Sequence, residues 1–167
     1  MPRRIGDMIF LTHRLPVNVS GEPQLDRAAV WDGLVLKANN ALPFVQSMSS
    51  CEVIARRGET SFDREIETRS GRKHTERITL EAPYRVVFTR IAGPILGVIA
   101  NEIEGPDDDL HLRFSFAVVM PGVESSSVAE QEYASSLTAE YQRAIEATLN
   151  ALRRLAKEKR TTADLPA

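Results

Sequence analysis

The chain has 167 residues, of which 43% are apolar and 26% are charged, and its formal net charge is −2. Its size predicts a single domain over residues 1–167 with an ordered core of about 8–158, and its nearly balanced charge gives no reason to expect a nucleic-acid partner. The single cysteine, Cys51, excludes an internal disulfide, and no stretch is apolar enough for a signal peptide or a membrane span, so we expect a cytoplasmic protein.

The first part of the chain predicts one strand followed by a helical corner. Residues 8–19 are rich in β-forming residues, with Pro16 inside, which favours an edge strand or one broken at the proline. Asp26 can cap a helix that runs through Asn39. One face of that helix is apolar: Val30, Trp31, Leu34, Val35 and Ala38. Residues 42–48 predict a second short helix of one or two turns.

The middle of the chain predicts six further strands that are joined by tight turns. The expected strands are residues 50–57, 61–69, 73–81, 84–91, 95–104 and 109–120. Turn residues such as Ser70-Gly71 and Gly93-Pro94 separate them, and loops this short favour an antiparallel meander. The last strand alternates most clearly, with Leu112, Phe114 and Phe116 on the face that should point inward.

The end of the chain predicts a long amphipathic helix over residues 128–157, followed by a disordered tail over residues 161–167. At about 1.5 Å per residue this helix is roughly 45 Å long, enough to cross the whole domain. Its apolar half must pack on the sheet. The predicted fold class is therefore α+β, with a seven-stranded antiparallel curved sheet wrapped around a C-terminal helix, and two short helices after the first strand.

This order of elements is that of the helix-grip fold, and several segments resemble one branch of the superfamily that has this fold. They are LDRAAVWDGLVLKA (residues 25–38), SCEV (50–53), NEIE (101–104), LRF (112–114), and Tyr141 with AIEATL (144–149). Together they resemble the AtaL-like branch of the SRPBCC superfamily, which includes START and birch-allergen-like proteins. The resemblance covers residues 8–156. It implies a cavity between sheet and helix that holds a hydrophobic or amphipathic small molecule, but it does not transfer a reaction, because the superfamily includes lipid carriers, hormone receptors, cyclases and aromatases.

The candidate ligand-binding positions are six inward-facing polar residues and one inward-facing aromatic residue. They are Arg64, Glu76, Arg90, Asn101, Phe114, Tyr141 and Thr148. The hairpin at Ser70-Gly71 should place Arg64 opposite or diagonal to Glu76, and we expect the hydroxyls of Tyr141 and Thr148 to point at the sheet. Two interpretations stay open: these groups line a cavity and orient a ligand, or they lie at strand ends and bulges, where they reach solvent or satisfy the backbone.

No catalytic pattern is recognisable, so the catalytic residues are unknown at this stage. His13, His74 and His111 lack the spacing of metal ligands, and no glycine-rich loop leads from a strand into a helix, so the sequence predicts neither a metal nor a cofactor. The first functional hypothesis is a binding protein for an apolar or amphipathic metabolite. The alternative is a cofactor-free polyketide cyclase, dehydratase or aromatase that uses Arg64, Glu76 or Tyr141.

A homodimer is a further possibility. The outer sheet face should carry an apolar patch made of Val87, Ile91, Leu96, Val98 and Val119.

Overall fold

The computed structural model describes residues 3–5, 8–124 and 127–163, with side chains over 8–124 and 127–160. In chain order the elements are β1 (Arg3–Ile5), β2 (Met8–Pro16), α1 (Arg27–Asn39), β3 (Met48–Arg56), β4 (Ser61–Thr68), β5 (Lys73–Glu81), β6 (Arg85–Ala92), β7 (Leu96–Glu104), β8 (His111–Val119) and α2 (Val128–Ala163). The α+β prediction is confirmed. All seven predicted strands are present, and the three-residue β1 adds an eighth.

The strands form one antiparallel sheet in the order β1-β2-β8-β7-β6-β5-β4-β3. The six strands from β3 to β8 are consecutive hairpins, as the short turns predict, and β2 closes the meander by pairing with β8, where Ile9 lies opposite Val118. β2 ends at Pro16, which agrees with the second of the two alternatives for this segment. Along β8 every second residue is buried, so the predicted inward face is confirmed.

Helix α1 begins where Asp26 accepts a hydrogen bond from the backbone N–H of Ala29 at 2.8 Å. Its buried stripe comprises Val30, Gly33, Leu34, Lys37 and Ala38. Gly33 allows α1 to approach α2 closely, since a Cβ at this position would lie 1.8 Å from Leu152 Cδ2. The buried stripe therefore differs from the predicted apolar face: it includes a glycine and a lysine, while Trp31 and Val35 are only half-buried.

The predicted second short helix over residues 42–48 is wrong. This segment forms a single turn, in which the Ala41 carbonyl accepts hydrogen bonds from the N–H groups of Phe44 and Val45, both at 2.9 Å. Met48 already belongs to β3, so too few residues remain for a second turn. The turn places the side chain of Phe44 in the core, where it is 4% exposed.

Helix α2 lies against the inner face of the sheet. Ser127 caps it by accepting a hydrogen bond from the N–H of Glu130 at 3.2 Å, the two residues having the spacing of a capping box. Leu137, Ile145 and Leu149 are at most 2% exposed and belong to the same core as the inward residues of the strands. The helix continues to Ala163, so residues 161–163 of the expected tail are helical, and residues 164–167 lie outside the described residues.

Neither helix in the described part of the chain is long and apolar enough to cross a membrane.

Candidate functional site

A cavity of about 810 Å³ lies between the inner face of the sheet and α2. Its apolar wall comprises Ile66, Phe88, Ile95, Ile99, Phe116, Met120 and Leu137. Most of these residues are inward positions of strands, and Leu137 belongs to the buried face of α2. Sheet and helix therefore meet without filling the space between them, and a guest molecule has room.

A row of three charged side chains crosses the sheet beneath the cavity. Glu76 on β5 lies in register with Arg64 on β4 and with Arg90 on β6. Its Oε1 accepts a hydrogen bond from Arg64 Nε at 3.0 Å and lies 2.9 Å from Arg64 Nη2 in the same ion pair, and its Oε2 accepts a hydrogen bond from Arg90 Nε at 3.2 Å. Arg64 and Glu76 are each 2% exposed. The predicted pairing of Arg64 with Glu76 is thus present, and both side chains are buried rather than placed at the rim.

Glu76 stays ionised in this surrounding. Burial by itself raises the pKa of its carboxyl group, but the charges and hydrogen bonds of Arg64 and Arg90 together outweigh burial, so the pKa lies below its ordinary value. Arg64 also donates from Nη1 to the carbonyl oxygens of Lys37 and Ala38, at 3.1 and 2.8 Å. These carbonyls are in the last turn of α1, where they lack helical partners. Arg64, held by its ion pair with Glu76, therefore connects the end of α1 to the sheet.

Lys37 is the functional candidate that sequence reasoning missed. Its side chain lines the cavity although the residue is only 5% exposed. Nζ donates a hydrogen bond to Oδ1 of Asn101 at 2.6 Å and lies 4.3 Å from the ring centroid of Phe114. Burial, followed by the charge of Arg64, lowers the pKa of Lys37 to about 7, and Glu76 opposes this shift only in part. The amine is therefore divided between its charged and neutral forms near neutral pH.

The spacing of Lys37 along α1 indicates that its side chain is buried. It lies seven residues after Val30 and three after Leu34, which places it on the buried stripe of α1.

Two tyrosines of α2 face the charged row. Tyr141 packs edge-on against Phe116, with ring centroids 4.6 Å apart, and burial raises its pKa well above the ordinary value. Burial also raises the pKa of Tyr133, although Arg90 opposes that shift through its charge and a hydrogen bond. Both phenols therefore remain protonated and available as hydrogen-bond donors beside Arg90.

His74 lines the cavity as a neutral side chain. Burial, followed by the charge of Arg90, lowers its pKa to about 4. Its Nδ1 makes no hydrogen bond within the described part of the chain. Gly93 packs against it, since a Cβ on Gly93 would lie 2.7 Å from this nitrogen.

Six of the seven candidate residues line the cavity: Arg64, Glu76, Arg90, Asn101, Phe114 and Tyr141. Thr148 does not. Its hydroxyl donates a hydrogen bond to the carbonyl of Ala144 at 2.8 Å, within α2 itself. Whether the six residues hold a ligand stays a prediction.

Among the described residues, no three His, Cys, Asp or Glu side chains are grouped so that they could hold a metal ion. On the outer face of the sheet, Ile91 and Val98 are 44% and 42% exposed. The homodimer stays a prediction.

An antiparallel sheet that holds a long C-terminal helix over an internal cavity defines the helix-grip class of protein. Residues 11–159 match the sequence profile of the AtaL family, described as acetylaranotin biosynthesis cluster protein L. The chain belongs to this family, and the resemblance in the sequence is confirmed. No curated protein matches the chain in sequence.

Solved structures show the same fold at low sequence identity. Ara h 8.0201 has a TM-score of 0.60 and 9% identity, with 87% of this chain and 97% of that chain covered. A protein from Thermus thermophilus has a TM-score of 0.61 and 11% identity, with 88% and 94% covered. The di-domain ARO/CYC StfQ from the steffimycin biosynthetic pathway has a TM-score of 0.62 and 12% identity, and the match covers 90% of this chain and 52% of that protein.

Proposed function

We propose that this protein binds an amphipathic small molecule in the cavity, with the apolar body of the ligand against the aliphatic and aromatic wall. The observation that carries the proposal is an open space of about 810 Å³ beside a buried row of charged groups. Known small-molecule sites span about 300–1,000 Å³ and combine a mostly apolar lining with a few placed polar groups. The cavity falls in the upper part of that range, which suits a fused-ring or long-chain metabolite.

The charges around the cavity favour an oxygen-rich or anionic group on the ligand. Both oxygens of Glu76 are engaged by arginines, and two permanently cationic side chains, Arg64 and Arg90, share this one carboxylate. Arg64 uses its hydrogen bonds on Glu76 and on the end of α1, whereas Arg90 gives Glu76 only its Nε. We therefore assign Arg90, with the phenols of Tyr133 and Tyr141, as the group that orients a ligand oxygen.

Titration with 8-anilinonaphthalene-1-sulfonate tests this proposal, because the probe combines an apolar body with an anionic group. Ala144 lines the cavity from α2, so Ala144→Phe should fill part of the space and weaken binding at least about tenfold, equivalent to ~1.4 kcal/mol. Ala139→Phe is the matched control, because Ala139 is exposed on the same helix and is not part of the cavity lining. Equal binding by both variants and the unmodified protein would place the probe elsewhere and reject the proposal.

The second candidate function is a cofactor-free cyclase, aromatase or dehydratase acting on a keto substrate. The observation that favours it is Lys37, whose pKa of about 7 suits a proton-transfer group near neutral pH. Glu76 is a poorer candidate than the sequence suggested, because two arginines hold it ionised. Incubation with a poly-β-keto thioester, followed by chromatography and mass spectrometry, tests this function. Turnover that is lost in Lys37→Met while probe binding persists would support the enzyme, and absence of any turnover would leave the binding function alone.

A further inference from the structure

We infer that Lys37 is a nucleophilic amine that captures an aldehyde or ketone group of the cavity ligand as an imine. The inference rests on the proposed binding function, and it names the chemical class of the ligand: an apolar molecule with a reactive carbonyl. It also accounts for a buried amine that forms a hydrogen bond to Asn101 and no ion pair with any described residue.

The surroundings of Lys37 leave its amine without a carboxylate partner in the described part of the chain. Its hydrogen bond goes to the neutral amide oxygen of Asn101, at 2.6 Å, and this bond uses one amine hydrogen in either protonation state. Glu76 is the carboxylate on the sheet side of the cavity, and both its oxygens are already bonded to arginines; Glu132 and Glu140 line the cavity from α2 and form no ion pair with Lys37. A lysine that served only to balance buried charge would be expected to contact a carboxylate directly.

Titratable and charged groups on several elements line the cavity that holds this amine. They are Arg64 on β4, Arg69 and Arg72 in the turn after it, His74 and Glu76 on β5, Arg90 on β6, and Glu132, Tyr133, Glu140 and Tyr141 on α2. Of these, Arg64 and Glu76 act on the pKa of Lys37: the charge of Arg64 lowers it, and the charge of Glu76 raises it by a smaller amount. The charge of Arg64 therefore adds to desolvation, the largest cause, in favouring the neutral amine.

The neutral form is the one that reacts. With a pKa of about 7, half of Lys37 is neutral at pH 7, against roughly one in 2,500 molecules for an exposed lysine of ordinary pKa. The concentration of reactive amine at this position is thus on the order of 10³-fold higher than at a surface lysine. Desolvation of a lysine in an apolar pocket is an established way to activate it for imine formation.

The reaction balances without any other reagent. The nitrogen lone pair attacks the carbonyl carbon, the π electrons move to oxygen, and one amine hydrogen transfers to that oxygen to give a carbinolamine. The C–O bond then breaks, and the second amine hydrogen leaves with the hydroxyl group, so the products are one C=N bond and one water. The rings of Phe88 and Phe114, whose centroids lie 5.5 and 4.3 Å from Nζ, limit the access of water and so slow the hydrolysis of the imine.

Reductive trapping tests the inference on the full-length protein. The protein is incubated at pH 7 with 2-naphthaldehyde and sodium cyanoborohydride, and the product is analysed by intact mass and peptide mapping. We expect one naphthylmethyl group on Lys37, added on the order of 10²–10³-fold faster than to the exposed Lys73, given the difference in neutral amine. Lys37→Met should abolish this fast phase, Lys73→Met should leave it unchanged, and Ala144→Phe should slow it by restricting the cavity.

The other outcomes separate the inference from the function it rests on. Modification spread evenly over the four lysines, or a fast phase that survives in Lys37→Met, would overturn the imine. If the protein binds 8-anilinonaphthalene-1-sulfonate but Lys37 is not trapped, the imine is wrong and ligand binding stands. If neither the sulfonate probe nor the aldehyde binds, both proposals fail together.

Discussion

Replacement of Lys37 by methionine should make the protein more stable at neutral pH. Methionine has nearly the same length and shape as the lysine side chain, so it can fill the same space without a charge to desolvate. In the folded protein the pKa of Lys37 is about 7, whereas its ordinary value is 10.5. A buried amine that must lose its proton or keep a poorly solvated charge opposes folding, and the variant removes that cost.

The size and sign of the effect follow from this difference in pKa. Between pH 7 and 10.5 the unfolded chain binds more protons than the folded one, so the stability of the unmodified protein rises with pH across this window. Lys37 costs about 4 kcal/mol at pH 7 and about 2 kcal/mol at pH 9. Methionine leaves Asn101 Oδ1 without its donor, which costs about 1–3 kcal/mol. The variant should therefore be more stable by roughly 1–3 kcal/mol at pH 7, and this advantage should shrink by about 2 kcal/mol at pH 9.

Urea unfolding at pH 7 and pH 9, followed by circular dichroism and by fluorescence of the single tryptophan, Trp31, measures both quantities. Lys73→Met serves as the control, because Lys73 is exposed and its replacement should shift stability by no more than about 0.5 kcal/mol. A Lys37→Met variant that is less stable than the unmodified protein at pH 7 would refute the reasoning. A stability difference that is the same at both pH values would refute it equally, since the amine would then not be the group that titrates.

Three further outcomes are expected. Glu76→Gln should lower the free energy of unfolding by about 3–5 kcal/mol, because it leaves two buried arginines without a carboxylate. The control Glu65→Gln, on the exposed face of the same strand pair, should have almost no effect. Comparable losses of stability for the two variants in urea titrations would contradict the buried network. Gly93→Ala should lower the free energy of unfolding by roughly 2–4 kcal/mol, since φ is 127° and a Cβ would lie 2.6 Å from a backbone oxygen. The control Gly71→Ala has open space around it and should cost about 1 kcal/mol. Equal shifts of the two variants on thermal unfolding would contradict the steric argument. Arg90→Gln should weaken binding of 8-anilinonaphthalene-1-sulfonate about tenfold, but it should change the affinity for the uncharged N-phenyl-1-naphthylamine by no more than about twofold. Equal loss of affinity for both probes in fluorescence titrations would show that Arg90 does not select for charge.

The sheet and the long helix were predictable because their signals are local and repeated. Alternation of apolar and polar residues defines which face of each strand is buried, and tight turns force consecutive strands to pair. The same alternation, carried across the hairpin at Ser70-Gly71, was enough to place Arg64 opposite Glu76. The amphipathic pattern also identified α2 as the element that covers the sheet.

Single side chains that depend on distant partners were not predictable. A lysine in a helix normally indicates an exposed position. The charge of Lys37 therefore argued against burial, although its spacing from Val30 and Leu34 placed it on the buried stripe of α1. Lys37 is tolerated there because Asn101, 64 positions along the chain, accepts its hydrogen bond and because an aromatic ring of β8 lies beneath it. Thr148 shows the converse. Helical periodicity placed it on the buried face of α2 and made it a candidate cavity residue, but its hydroxyl bonds to its own helix and the residue does not line the cavity.

The sequence by itself determined the order of the main elements, the inward face of the clearly alternating strands and the family, since these follow from periodicity, turn residues and recognisable segments. Only the tertiary structure decided that the sheet and α2 leave a cavity of about 810 Å³, and that an amine with a pKa of about 7 lines it. Empty volume and desolvation are properties of surfaces that meet across the fold, and no local pattern along the chain encodes how completely those surfaces fill the space between them.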